Sequence, residues 1–501
     1  MTTDATAVTE AEHSDRTRWI ALVVLCLGFL MIILDQTIVN VALPSIQHDL
    51  HFSQSSLAWV VNAYLIAFGG LLLLVGRLGD LIGRKRIFLA GLTVFTLASM
   101  LCGVAQSQAV LVVARFVQGV GGAMTSAVIL GMIVSMFPKP ADRAKAIGVY
   151  SFVAAAGGGV GLLAGGIITQ AINWHWIFFV NLPIGVLTAI AASRLLTSER
   201  GLGLRQGADL PGAVLLVSSL MIGVYTIVKA SDYGWGSGRT IGFGAIAVSL
   251  LAAFVGREAT ARQPLVPLRV FRSRTTAAAN LIQMLMVAGM FGMFFLGALY
   301  LQRVLHYSAI GVGLAFLPVA VGIGAVSLRF APILITRFGA RATLVPGLVL
   351  MFAGLALFAR SPVDASYAVD VLPSMVLLGI GAGLSFSPLM TLAMSAATPA
   401  DSGLASGLVN TTQQVGGALG LAVLATLSTT YSQSLLRTGG TTAAALTSGY
   451  HLAFTVGAAL VVAALALAVG LLRTQPAIAR TEEGLERVPI EAELVYSEEA
   501  A

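Results

Sequence analysis

Apolar residues run through this chain in long blocks, broken by short polar loops, and neither the two-residue alternation of a strand nor a single amphipathic stripe dominates. Fourteen blocks approach the roughly 20 residues that an α-helix needs to cross a hydrocarbon core of about 30 Å. They cover approximately residues 19–43, 57–75, 87–105, 109–136, 146–168 and 176–196, then 210–228 and 241–255, then 277–301, 310–328, 344–359, 371–393, 404–428 and 452–472. The block at 344–359 is the shortest-looking of the later set. A membrane β-barrel is excluded, because its strands alternate polar and apolar residues. The pattern therefore predicts an all-α polytopic membrane protein with 14 transmembrane helices.

Composition agrees: 57% of the 501 residues are hydrophobic and 10% charged, against about 25% charged in soluble domains. The 55 glycines suit transmembrane helices that pack closely. The net charge of +7 does not point to nucleic acid, since the cations lie in short loops. With the N-terminus cytoplasmic, the inner segments hold 23 Lys and Arg, and the outer loops hold Lys229, Arg239, Arg303, Arg360 and Arg437. Arg115 alone is left within a span. That asymmetry predicts cytoplasmic N- and C-termini. Cys26 and Cys102 both lie in apolar blocks, so no disulfide framework is expected. The first block follows a polar, acidic start without a basic n-region, and is read as a retained span rather than a signal peptide.

Chemistry concentrates in a few places. Gly76-Arg77-Leu78-Gly79-Asp80-Leu81-Ile82-Gly83-Arg84-Lys85-Arg86 sets a tight, charged turn between the second and third spans. Asp80 and Arg84 are four apart and are expected to share a helical face. Asp35 is the one acidic residue placed deep in a span, where a carboxylate costs roughly 2.5–3.5 kcal/mol on insertion scales. Either it does chemistry or a neighbouring helix holds it by a hydrogen bond. Counting from the outer ends of their spans puts Asp35 about 12 Å deep and Arg115 about 9 Å deep, so the two are expected to interact directly or through water. The alternative for Arg115 is a structural bond to a carbonyl. Gly157, Gly161 and Gly165 recur every four residues, with Gly166 beside them. They form one face for close helix packing. Gln36, Asn40, Asn62, Gln118, Asn410 and Gln414 are polar residues in spans and are candidates for lining a substrate cavity. No phosphate-binding loop, metal-ligand spacing or nucleophile–base arrangement is legible, so no enzyme, cofactor or metal is expected.

The loop G-x-L-x-D-x-x-G-R-K-R resembles that of the major facilitator superfamily. The first-span segment Leu34–Pro44, the run Arg115–Ala123, Gly157–Gly166, Trp174–Pro183, Val266–Arg274 and Leu408–Gly417 are similar to motifs of its fourteen-helix drug:proton antiporters, the EmrB/QacA type. Leu162 stands where that family has proline, and His175 where it has arginine. The resemblance implies the major facilitator superfamily fold, two six-helix halves at 19–196 and 277–472 around an inserted helix pair within 197–256. A cytoplasmic tail (1–18), a basic connector (257–276) and an acidic disordered tail (473–501) complete the chain. Arg329, Arg337 and Arg341 around Gly339 form a degraded echo of the charged turn in the second half. The resemblance also implies proton coupling through Asp35 and Arg115, and a conformational gate at Gly76, Asp80, Gly83 and Arg84 that meets the helix start at 399–403. Packing characteristic of exporters would fall at Gly157, Gly161, Gly165 and Gly166. The function implied is efflux of small amphipathic drugs or antibiotics, neutral or monocationic, in exchange for protons across a bacterial plasma membrane, with lipids as further partners. A dedicated metabolite exporter and an importer remain alternatives, and a membrane enzyme or receptor is the reading from another class.

Overall fold

The computed structural model describes residues 3–197, 201–203, 207–266, 268–395 and 402–472. The expected acidic tail lies outside them. Among the described residues there are helices and no strands, and 14 helical segments are long and apolar enough to cross a membrane. The first half comprises α1 (Thr3–Leu50), α2 (Trp59–Ile82), α3 (Arg84–Gly103), α4 (Gln108–Met136), α5 (Pro140–Ala171), α6 (Trp176–Phe179) and α7 (Asn181–Leu195). The inserted pair is α8 (Leu210–Tyr233) and α9 (Gly238–Thr260). The second half comprises α10 (Arg274–Arg303), α11 (Ala309–Ala325), α12 (Ala331–Phe338), α13 (Ala340–Phe358), α14 (Leu372–Ala393), α15 (Ser402–Arg437) and α16 (Thr442–Leu471).

Local chemistry explains many of the ends. Ser107, Asp209, Ser237, Ser273, Ser308 and Thr441 each accept a hydrogen bond from the backbone N–H three residues on, satisfying a donor that the first helical turn leaves bare. Gly83 and Gly339, at φ 111° and 87°, stop α2 and α12 in a conformation that a side chain would oppose. Several boundaries differ from the sequence expectation. Helix α1 passes through Pro44 to Leu50, where the sequence ended it at 43. A proline inside a membrane helix is tolerated when other groups take up the freed carbonyls, and Gln302 Nε2 of α10 donates to Val41 O at 2.9 Å beside that gap. The helix also reaches back to Thr3. The sixth span is broken at Val180 into α6 and α7. The tenth extends through a π-helical turn, Val326–Phe330, into α12.

Each half repeats one packing scheme. Helix α1 lies against α5 and α7, α4 against α2 and α3, and α3 against α7; α10, α15, α16, α14, α11 and α13 repeat the same pairs in the second half. The halves meet reciprocally, α5 on α11 and α2 on α15. The inserted pair rides outside through α8, which touches α2 and α15, while α9 packs on α8. Val248 and Ile241 of α9 are 68% and 61% exposed, as a lipid-facing helix should be.

The faint second charged turn is a true structural counterpart. Gly83 N bonds Gly79 O at 2.9 Å, and Gly339 N bonds Ile335 O at 2.8 Å. Lys85 Nζ caps the end of α7 at Ser193 O (2.8 Å) and Leu196 O (2.6 Å), and Arg341 Nη2 meets Val469 O near the end of α16 at 2.7 Å. A cation at a helix C-terminus answers both the bare carbonyls and the dipole. The acid–base pair is what the second turn lacks: Thr336 and Ala340 stand at the places of Asp80 and Arg84.

Candidate functional site

Five helices of the first half converge on Asp35. Arg115 and Gln118, three apart on α4, present one face. Arg115 Nη1 donates to Asp35 Oδ2 at 2.5 Å and to Gln118 Oε1 at 2.7 Å, and its Nε donates to Val60 O of α2 at 2.9 Å. Gln118 Nε2 and Asn181 Nδ2 both donate to Asp35 Oδ1, at 2.7 and 3.1 Å. Asn181 Nδ2 also lies 3.0 Å from Ser99 Oγ of α3, whose hydroxyl donates to Phe178 O at 2.8 Å. The Tyr64 ring faces the guanidinium at 4.4 Å, a cation–π contact. Asp35 is 0% exposed and Arg115 1%.

The glycines of the Arg115 run explain how α4 gets so close. A Cβ on Gly119 would strike Tyr64 O of α2 at 2.5 Å, and one on Gly122 would meet Tyr64 Oη at 2.8 Å. One on Gly121 would press into the Phe95 backbone of α3. Every partner of Asp35 is a donor. The network therefore holds the carboxylate, and a protonated Asp35 would turn an O–H toward groups that cannot accept it unless an amide reorients.

The expected direct contact of Asp35 and Arg115 is present. The structure also adds what the sequence reading missed, namely Asn181, Ser99 and Tyr64. Asn181 carried a signal, a lone amide at the entry to the sixth span. Among the cavity candidates, Gln36, Asn40 and Asn410 are half-buried. Asn40 bonds back to Gln36 O and Thr37 O, and Asn410 to Ser406 O. Three further candidates are enclosed. Gln118 is fully buried in the Asp35 network. Asn62 is fully buried, with neither side-chain polar atom partnered. Gln414 is 5% exposed and packs onto Gly69, where a Cβ would meet its own Cβ at 2.5 Å. The polar segment Leu408–Gly417 meets two α10 residues that were not singled out: Thr412 Oγ1 donates to Asn280 Oδ1 at 3.1 Å, and Gln283 Nε2 to Gln413 Oε1 at 3.4 Å. Two polar residues three apart, Asn280 and Gln283, within an apolar block were the legible signal.

Asp80 and Arg84 do not share a helix, because Gly83 ends α2 between them. The pair closes across that break, with Arg84 Nε and Nη2 on Asp80 Oδ1 at 3.3 and 3.0 Å, and Nη1 on Gly131 O of α4 at 3.2 Å. Arg77 Nη2 reaches Gln263 Oε1 at 2.9 Å. Arg77, Arg84 and Lys85 are thus each bonded to protein. Gly79 packs on Val128, whereas Gly76 has only Ala127, at 4.0 Å, near its missing side chain. Residues 399–401 of the expected gate partner lie outside the described residues.

Gly157, Gly161 and Gly165 all face α1, at Leu30 and Ile33, at Leu34 and Thr37, and at Ile38. Gly166 turns to α11 instead, where a Cβ would meet Ala309 O at 2.6 Å. Gly416 and Gly420 of α15 press on Met284 and Ala288 of α10 in the matching way.

Comparison with known proteins gives the same picture along the chain. The sequence pattern of the Major Facilitator Superfamily matches residues 25–421. The puromycin resistance protein pur8 of Streptomyces alboniger is 40% identical over 460 residues, 91% of this chain and 90% of that protein. The cephamycin export protein CmcT of Amycolatopsis lactamdurans is 38% identical over 473 residues, 92% of this chain and 93% of that protein. The crystal structure of an auto-inhibited peptide transporter of the POT family shares the fold, with a TM-score of 0.65 at 16% identity, covering 92% of this chain and 98% of that one.

Proposed function

Because the chain belongs to the major facilitator superfamily, we propose that it expels small amphipathic drugs or antibiotics from the cell in exchange for protons. The observation that carries the coupling is Asp35, fully enclosed and bonded only by donors. Enclosure means that a proton reaches it only when the helices move, and the donor set means that protonation must break the network. Those two requirements tie proton uptake to rearrangement, as exchange transport needs: each ligand must favour one state over the other. The proton gradient supplies the energy, with no cofactor and no catalytic group. The likeness to a resistance protein and an export protein supports export, and drug-like cargo, over import.

The protein sits in the bacterial plasma membrane with both termini cytoplasmic, a placement supported by the 23 inner cations. One enclosed carboxylate at the centre of the first half favours neutral or monocationic substrates. The clasp of Asp80 and Arg84 is the gate of this reading. Its side chains are 39% and 31% exposed, so Asp80→Asn is expected to cost less than about 1 kcal/mol of stability while turnover collapses with substrate binding kept. Transport and binding assays at matched expression check this, and normal efflux by the variant removes the gate.

A narrower reading, a dedicated exporter of one antibiotic, is favoured by the single compounds in the names of both relatives. A susceptibility panel in an efflux-deficient host separates the two, by resistance to many compounds or to one. Resistance should vanish when an uncoupler collapses the proton gradient; resistance that persists would sink proton exchange in either form.

A further inference from the structure

The inserted helix pair closes at one end around two carboxylates that the sequence reading left in a loop. Asp209 caps α8, its Oδ1 accepting from Gly212 N at 3.2 Å and from Arg257 Nε at 3.0 Å. Glu258 lies in the last turn of α9, and its Oε2 accepts from Val266 N at 2.9 Å. The remaining oxygens, Asp209 Oδ2 and Glu258 Oε1, are buried with no hydrogen-bond partner among the described residues, on residues 4% and 3% exposed. Both are aimed at the bare face of Gly212. A Cβ there would lie 2.6 Å from the first and 2.9 Å from the second. Those distances place the two oxygens within about 5.5 Å of each other.

Two orphaned acceptors converging in a buried site call for a hydrogen between them. An unpaired buried carboxylate oxygen is costly, and two negative charges this close oppose each other. A single proton removes both costs, because the carboxyl O–H of one residue can donate to the carboxylate of the other. Asp209 already accepts hydrogen bonds from the Arg257 guanidinium and the N–H of Gly212, whereas Glu258 is hydrogen-bonded only by backbone N–H. We propose that Asp209 and Glu258 form a proton-binding site separate from Asp35, with the proton on Glu258 and the charge on Asp209.

The charged groups that act on Glu258 are Asp209, across from it on the α8 cap, and Arg257, beside it on α9; from the connector it meets the N–H groups of Leu265 and Val266. The connector carries the consequence. Val266 is tied to Glu258, and Gln263, three residues earlier, is tied to Arg77 on α2. Loss of the proton to water would set two like charges behind this turn and loosen the segment that leads from the inserted pair to α10. The site thereby makes the hold on the connector dependent on pH at that end of the bundle.

The test uses the full-length protein in lipid nanodiscs. Hydrogen exchange at the Val266 amide, corrected for base catalysis, should speed up with rising pH by at most about tenfold per unit between the midpoint of the opened segment and that of the closed site, and level off above the latter, as one-proton linkage requires. Glu258→Gln places an amide N–H where the proton was, so it should keep the connector protected and abolish that pH dependence. Infrared difference spectra should show a protonated-carboxyl band that Glu258→Gln removes and Asp35→Asn leaves. Wild-type exchange at Val266 that ignores pH after correction, or a band that survives Glu258→Gln, overturns the proposal. If Glu258→Gln does not fold, the wild-type exchange profile decides alone.

Discussion

Asp35→Asn will stop proton-coupled efflux and will also weaken the fold. The carboxylate accepts from Arg115, Gln118 and Asn181 with both oxygens. An asparagine keeps one acceptor and turns an N–H₂ toward groups that themselves donate, and it leaves the Arg115 charge buried without its partner. Breaking a buried ion pair from one side typically costs about 3–5 kcal/mol. The double variant Asp35→Asn with Arg115→Gln separates the two effects. Removing both charges should recover most of the stability, because the cost lies in the orphan rather than in the missing pair, but it should not recover efflux. Thermal unfolding in detergent and substrate-driven proton release in inverted vesicles measure the two. Wild-type coupling in the single variant would take Asp35 out of the mechanism.

A methyl group on α5 should be decided by which atom it meets. Gly158 has nothing within 4 Å of its missing Cβ, so Gly158→Ala is expected to behave as wild type. Gly161→Ala presses on Thr37 Oγ1, a side chain that can rotate, and comes within 3.1 Å of Leu34 O. Gly165→Ala meets Ile38 O at 2.7 Å and Ile38 Cα at 3.2 Å, and backbone cannot step aside without moving α1. Overpacking of this kind costs about 1–3 kcal/mol, and here it shifts the helix that carries Asp35. The expected order of lost efflux is therefore Gly165, then Gly161, with Gly158 unaffected. Gly166→Ala strikes α11 across the seam between the halves, and should impair transport more than it impairs stability. Efflux per folded molecule and size-exclusion profiles rank the four. Wild-type efflux and stability in Gly165→Ala would show that close packing is not what this glycine face provides.

Fourteen spans, two halves and an outlying pair were legible because a membrane imposes its requirement on the chain one helix at a time. Each span must be long and apolar by itself, so each leaves its own mark in the sequence. The meeting of Asp35 with Arg115 was legible for a related reason: both are charges within spans, at depths that can be counted. Positions set by the approach of different helices left weaker marks. Asn181 joins the network because the sixth span packs against both α1 and α3. Gln118, read as a cavity residue, is enclosed because the glycines of α4 draw that helix onto α2 and α3.

The sequence by itself determined the class of protein, the span count, the two-half arrangement and the residues that carry charge into the membrane, since hydropathy and charge are properties of single residues and short runs. Only the tertiary structure decided which polar groups face one another. It paired Asp80 with Arg84 across a helix break rather than along a helix, and it turned Gly157, Gly161 and Gly165 to α1 but Gly166 to α11. It also brought Asp209 to Glu258, 49 residues away, at the foot of the inserted pair. Those partnerships depend on how helices rotate and approach when they pack, which the order of residues along one helix does not specify.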